Sequence, residues 1–187
     1  MSNFADKIAL VTGAGGGMGL QIASDLIHAG ASVLMLDIKS RPEAIPGNPD
    51  QSLYEQVDLI DAVSVVTAVE KAAKIFGGFD YLANVAGALW FDRDKSALEI
   101  DLDIWDQVMA INLKSMVHTA RQVVPYMRQR GGGAMVHFSS TQCLRGDSAP
   151  QDAYQAAKAG VVAFSKSLAI QLADDNIRSN VIYPGPS

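Results

Sequence analysis

The feature that most constrains this chain is a set of strand-length apolar runs that are continuous where half-exposed strands would alternate. "KIALVT" at 7–12 and "SVLMLD" at 32–37 are the clearest of them. A strand buried on one face alternates apolar and polar side chains, whereas one buried on both does not. Strands of the second kind belong to parallel sheets covered by helices on each side. Further strand candidates are "LYEQVDL" (53–59), "DYLANVAG" (80–87), "AMVHFSS" (134–140) and "RSNVIY" (178–183). Stretches with helical spacing separate them: 18–31, 61–77 ending at Gly77-Gly78, 103–130 as one long helix or two in sequence, and 153–174. The loop 38–52, with Pro42, Pro46, Gly47 and Pro49, joins a strand directly to a strand. The pattern predicts an α/β fold, a doubly wound parallel sheet, in a single domain spanning 1–187.

A length of 187 residues suits one domain with a substantial core. The net charge of -5, without any basic stretch, argues against nucleic acid as a partner. Cys143 is the only cysteine, so no internal disulfide can form and a reducing cytoplasm is the expected location. The first ten residues lack the apolar run of a signal peptide, and the longest apolar runs elsewhere are strand-sized, so no membrane span is expected. His28, His118 and His137 sit in separate elements without a Cys or carboxylate cluster, so no metal site is expected. Neither a G-x-S-x-G elbow nor a G-x-x-x-x-G-K-[ST] loop is present, which excludes the hydrolases built on them.

"VTGAGGGMGLQIA" (11–23) places glycines between the first strand and the first helix. In a unit of this kind the pyrophosphate of a dinucleotide rests against unpaired N–H groups at the helix N-terminus, and a Cβ would block its approach. Gly13, Gly17, Met18 and Gly19 are the expected contacts. Asp37 closes the second strand, where an acidic residue holds the adenosine ribose hydroxyls. Its carboxylate would repel a 2′-phosphate, which favours NAD over NADP, although Lys39 and Arg41 follow soon after.

In "DAYQAAKAG" (152–160) Tyr154 and Lys158 are spaced i, i+4 and share a helix face. Taken together, "TGAGGGMG", "NVAG" (84–87), "INL" (111–113), "SS" (139–140), "YQAAK" and "NVIYPG" (180–185) resemble the classical short-chain dehydrogenase/reductase family from residue 7 to the end of the sequence. The resemblance implies a Rossmann fold and a hydride transfer between NAD(P) and a secondary alcohol or ketone. Tyr154 then corresponds to the general acid/base. A free phenol titrates near ~10, and an ammonium about 4 Å away would lower it, so Lys158 is expected to bring Tyr154 toward the working range.

The resemblance further implies that Lys158 holds the nicotinamide ribose and that Ser140 polarises the substrate oxygen. Ser139 is the neighbouring alternative, but Ser140 lies 14 residues before Tyr154, the better spacing. Asn112 matches the asparagine that holds a water linking the lysine to solvent. Asp58 corresponds to an adenine contact, with helix capping as its alternative. Asn84 and Gly87 belong to the turn beside the cofactor, where Val85 replaces the family's second asparagine. Pro184 and Gly185 form the turn under the nicotinamide, with Ser187 at its carboxamide. Trp90 and Phe91 either border the pocket or anchor a surface loop; Cys143 either lines the pocket or simply packs; His137 reads as a satisfied interior residue.

A homodimer or homotetramer is implied, using Val117, Ala120, Val124, Met127, Ala156, Gly160, Ala163 and Phe164, unless these residues only pack on the sheet. In the family a last strand and a substrate lid follow "PG", so the sequence is expected to be C-terminally truncated. The alternative function is a dinucleotide-binding module without turnover.

Overall fold

The computed structural model describes residues 4–43, 45, 47 and 50–185, so Pro46, Pro49 and Ser187 lie outside the described residues. The chain runs through β1 (Ile8–Thr12), α1 (Gly17–His28), β2 (Ser32–Asp37), β3 (Ser52–Gln56), α2 (Ala62–Phe76) and β4 (Tyr81–Asn84). It continues through α3 (Leu102–Met109), a π-helical turn (Ala110–Lys114), α4 (Ser115–Gln129) and β5 (Gly133–Phe138). A 3-10 turn (Thr141–Leu144), α5 (Asp152–Gln171) and β6 (Ile177–Ile182) complete it.

Among the described residues six strands form one parallel sheet in the order β3-β2-β1-β4-β5-β6. Leu10 of β1 stands in register with Leu34 of β2 on one side and Leu82 of β4 on the other. The two faces separate by residue parity, as a pleated strand requires. Ile8, Leu10, Leu34, Leu36, Leu82 and Met135 face α2, α4 and α5, where Val65, Val123, Met127 and Phe164 meet them. Ala9, Val11, Val33 and Met35 face α1, packing on Ala23 and Ile27. This is the doubly wound sheet that the continuous apolar strands require.

Several strands end sooner than their composition suggests, because side chains withdraw backbone groups from the ladder. The hydroxyl of Thr12 accepts the N–H groups of Val85 (3.0 Å) and Ala86 (3.1 Å), which ends β4 at Asn84. The carboxylate of Asp58 accepts the Ile60 N–H (3.0 Å) and turns the chain after β3. The cap of α2 is Asp61, whose side chain accepts from the Val63 N–H (2.9 Å), and Gly77 closes that helix in the left-handed region with φ 92°. The stretch 103–130 is one continuous helical path, with the π-helical turn as its only interruption between α3 and α4.

Of the residues expected to pair subunits, Ala120, Val124 and Met127 pack beneath the sheet, and Ala120 and Val124 also border the groove between α4 and α5. Gly160 is closely packed, since a Cβ there would lie 2.8 Å from Leu113 Cδ2. Val117 and Phe164 line a shallow groove of about 250 Å³ between α4 and α5. Ala156 and Ala163 remain exposed.

At the opposite end of the sheet from the glycine loop, the buried Asp80 accepts the Ile8 N–H (2.9 Å) and pairs with Arg130 (3.1 Å) and Lys7 (3.6 Å). It ties the start of β1 to the end of α4. Asp80→Ala should destabilise the protein by about 2–3 kcal/mol, because a buried N–H and a partly buried guanidinium lose their acceptor. Urea unfolding followed by circular dichroism measures this.

Candidate active site

The chain leaves β1 through Gly13, whose φ of 70° favours glycine. A Cβ on Gly13 would stand 2.9 Å from the Ala86 backbone nitrogen, so the glycine loop and the turn after β4 touch at this point. A Cβ on Gly19 would overlap the Gly13 carbonyl, whereas Gly16 and Gly17 face open space. α1 begins at Gly17 with no side-chain cap and no acidic residue in its first turn. Its leading N–H groups therefore face the cleft without a competing acceptor from the helix itself, an arrangement suited to a phosphate.

Asp37 ends β2 beside this loop. One carboxylate oxygen accepts the Gly15 N–H (2.8 Å) and the other the Lys39 N–H (2.9 Å). Each oxygen keeps a further lone pair for a ligand. Asp37, Lys39, Asp58, Met18 and Trp90 line one part of the cleft, a space of about 580 Å³. Asp58 is exposed there and does not cap α2, since Asp61 does.

The second part of the cleft, about 530 Å³, is lined by Ser140, Tyr154, Lys158, Pro184, Gly185 and Phe91, among others. Met18, Val85, Gly87 and Ala88 line both parts and form the seam between them. Gly87 matters here for its missing side chain. A Cβ would lie 2.8 Å from Asn112 Oδ1 and 3.0 Å from Lys158 Nζ, so both polar atoms fill the space that glycine leaves.

The two serines have separate surroundings. Both border the cleft, but the Ser139 hydroxyl donates to the Lys158 carbonyl (2.7 Å), fastening β5 to α5. Ser140 accepts the Gln142 N–H (3.2 Å) and lines the cleft together with Tyr154. Lys158 is 3% exposed, and its ammonium donates to the Phe138 carbonyl at 2.8 Å. Asn112, fully buried in the π-helical turn, accepts from the Ala88 N–H (3.1 Å) and donates to the Ala88 carbonyl (2.9 Å) and the Val108 carbonyl (3.0 Å). It fixes the strip of chain opposite Lys158.

Electrostatics run against one expectation. Burial raises the Tyr154 phenol above its usual 10.0, and the Ser140 hydrogen bond only partly offsets this. Lys158 does not bring it down: its nitrogen lies 5.6 Å from the Tyr154 ring centre, and burial lowers the amine itself to about 8. The same dehydrated wall penalises both charged forms.

Other expected residues are placed differently. Asn84 does not line the cleft; it is buried, accepting from Thr119 Oγ1 (2.8 Å) and meeting His137 Nδ1 (3.1 Å). His137 is wholly buried and held neutral, near pKa 4, by desolvation; its Nε2 has no partner among the described residues. Phe91 borders the cleft as a largely exposed side chain rather than a buried anchor. Cys143 packs against Ser139 (3.4 Å) and is not a lining residue. Sequence reasoning missed Thr12 and Asp94. The buried Asp94 accepts the backbone N–H groups of Ala153 (3.2 Å) and Tyr154 (2.8 Å), a link across the fold that no local pattern announces.

The profile described as short chain dehydrogenase matches residues 7–187, and the chain belongs to that family of oxidoreductases. A protein of Bradyrhizobium diazoefficiens named as a probable short-chain type dehydrogenase/reductase is 39% identical over 191 residues, covering 99% of this chain and 68% of that relative. An asnovolin H dehydrogenase of Aspergillus novofumigatus is 33% identical, covering 99% of this chain and 71% of its own length. Among solved structures, carveol dehydrogenase from Mycobacterium avium, in complex with NAD, superposes with a TM-score of 0.87 at 28% identity, over 98% of this chain and 72% of that one. Among the described residues no helix is long and apolar enough to cross a membrane, and no cluster of potential metal ligands occurs.

The buried lysine makes stability depend on pH. Folded Lys158 loses its proton near pH 8, whereas the unfolded side chain holds it until about 10.5. Between these values the unfolded state binds more protons, so this group makes the fold more stable as pH rises. Comparing the wild-type protein with Lys158→Met, the difference in unfolding free energy should move toward the wild type by ~3 kcal/mol from pH 8 to 10.5. Denaturant titrations across that range read it, and a flat difference would show that the ammonium is not desolvated.

Proposed function

We propose that this chain is an NAD-dependent oxidoreductase interconverting a secondary alcohol and a ketone, with Tyr154 as general acid/base. The observation that carries the reading is the meeting of Ser140, Tyr154 and Lys158 in a cleft continuous with the glycine loop. NAD fits the residues present. Gly13, Gly17, Met18 and Gly19 offer the open helix N-terminus for its pyrophosphate, and Asp37 offers carboxylate lone pairs for a ribose diol while opposing a 2′-phosphate. Asp58 suits the adenine end, and Lys158, Gly87, Pro184 and Gly185 the nicotinamide end. Asn84 contributes by holding the turn rather than by contact. Bound there, the cofactor supplies the hydride donor or acceptor.

The chain's own residues handle the proton. In the oxidation direction Tyr154 takes the hydroxyl proton of the alcohol, and Ser140 donates a hydrogen bond to the oxygen that becomes the carbonyl. Lys158, with a pKa of about 8, can release a proton toward solvent. A water beside Asn112, along the strip that Asn112 fixes opposite Lys158, completes that route. The dehydrated wall helps in the reduction direction, where a high phenol pKa keeps the donor proton in place at neutral pH. The half-buried, unpaired Cys143 suits a reducing cytoplasm. The α4–α5 groove suits pairing into a homodimer or homotetramer, which sedimentation equilibrium would read as a multiple of 19.9 kDa.

Tyr154→Phe should reduce turnover ~10³-fold, within the usual range for loss of a general acid/base, and leave NAD affinity nearly unchanged. Reduced-cofactor absorbance with 2-propanol, cyclohexanol and carveol measures turnover, and NADH fluorescence measures binding. Retained activity would remove Tyr154 from its role. Ser140→Ala removes a hydrogen bond that lowers the phenol, so the alkaline rise of alcohol oxidation should move to higher pH.

A further inference from the structure

The N-terminus of α5, three residues before Tyr154, lacks an ordinary cap. Gln151 occupies the capping position and makes no side-chain bond to the helix. Its amide oxygen instead accepts from Gln142 (3.1 Å), in the turn that follows Ser140. The capping acceptor comes from elsewhere: the carboxylate of Asp94, in the segment after β4, takes the N–H groups of Ala153 and Tyr154, one on each oxygen.

Asp94 is 1% exposed and forms none of the ion pairs found among the described residues. Two N–H groups and the positive end of a 20-residue helix are what it meets there. Burying a charge is costly, and a serine or aspartate at position 151 would cap the helix without that cost. What the remote carboxylate adds is a fixed relation between α5 and the loop that carries Asp94.

That loop lines both parts of the cleft. A tight turn, with the Arg93 and Asp94 N–H groups donating to the Trp90 carbonyl at 3.1 and 2.8 Å, presents Trp90 to one part and Phe91 to the other. Beyond Asp94 the latch is doubled: Asp152 accepts the Ala97 N–H (2.8 Å) and donates its own N–H to the Lys95 carbonyl (3.2 Å). Trp90, Trp105 and Tyr154 then share one apolar cluster with Ile100, Val108 and Ala153. The backbone of Tyr154 is thereby held from the loop side while its side chain lines the cleft beside Ser140.

We propose that Asp94 is a positioning residue for the reaction, holding the first turn of α5 so that the Tyr154 side chain keeps its place in the cleft that Ser140 also lines. The proposal rests on the reading of Tyr154 as general acid/base. A shift of the first turn misplaces the phenol without touching the glycine loop, so turnover should suffer and cofactor binding should not.

The test uses the whole chain with NAD and the best-turned-over alcohol among 2-propanol, cyclohexanol and carveol. Asp94→Asn keeps the shape but loses the charge, and kcat should fall ~10-fold or more while the KM for NAD changes less than ~2-fold. The double variant with Ser140→Ala should lose little more than Ser140→Ala alone, because both changes act on how the phenol and the substrate oxygen are set against each other. If Asp94→Asn does not fold, Asp152→Asn opens the exposed half of the latch and should lower kcat ~3-fold with unchanged KM for NAD. Wild-type kcat in folded Asp94→Asn, or in Asp152→Asn where the first variant does not fold, would overturn the proposal. So would losses of Asp94→Asn and Ser140→Ala that multiply. No turnover by the wild-type chain, or undiminished turnover in Tyr154→Phe, would instead overturn the underlying reading of Tyr154.

Discussion

The parting of the chain on either side of β1 is the constraint on which the site depends. β1 pairs with β2 on one side and with β4 on the other; α1 carries the chain from β1 to β2 over one face, and α2 carries it from β3 to β4 over the opposite face. At the C-terminal ends of β1 and β4 a crevice must open, because neither connection crosses it. The glycine loop and the "NVAG" turn form its two lips. They meet at Gly13 and Ala86, closely enough that only glycine is accommodated at the first, and the Thr12 hydroxyl fastens them by two hydrogen bonds. Everything that faces the cleft is placed relative to this junction.

Burial within that crevice sets the chemistry of the side chains. Tyr154 and Lys158 share a wall with little water, and each is pushed toward its neutral form, the phenol upward and the amine downward. Holding a lysine at 3% exposure opposes folding, and its bond to the Phe138 carbonyl only limits the penalty. A group retained under that penalty is a sound candidate for function. The glycine at 87 belongs to the same economy of space, since the polar atoms of Asn112 and Lys158 occupy what a side chain would have filled.

The continuous apolar runs of β1 and β2 made the sheet legible, because burial on both faces leaves a direct trace in sequence. The glycine loop, Asp37, Tyr154 and Lys158 were legible as well, since each belongs to a short pattern with a local geometric meaning. Contacts that close over long sequence distances were not legible. Asp94 and Tyr154 are 60 residues apart, and Asn84 meets Thr119 and His137 beneath the cleft rather than facing it. The separation of Ser139 from Ser140 depended on which hydroxyl reaches the Lys158 carbonyl, and that is decided by the packing of β5 on α5. The direction of the Tyr154 shift was misjudged from spacing alone, because i, i+4 places the lysine on the right face but says nothing of burial.

The central claim is that this cleft moves a hydride, and isotope transfer tests it most directly. The chain would be incubated with NAD and alcohols deuterated at the carbinol carbon, across acyclic and cyclic examples, and the cofactor analysed by mass spectrometry. The account predicts deuterium in the reduced cofactor, one atom for each ketone formed. Saturable NAD binding with the deuterium remaining on every alcohol, and no transfer from reduced cofactor to the corresponding ketones, would contradict it.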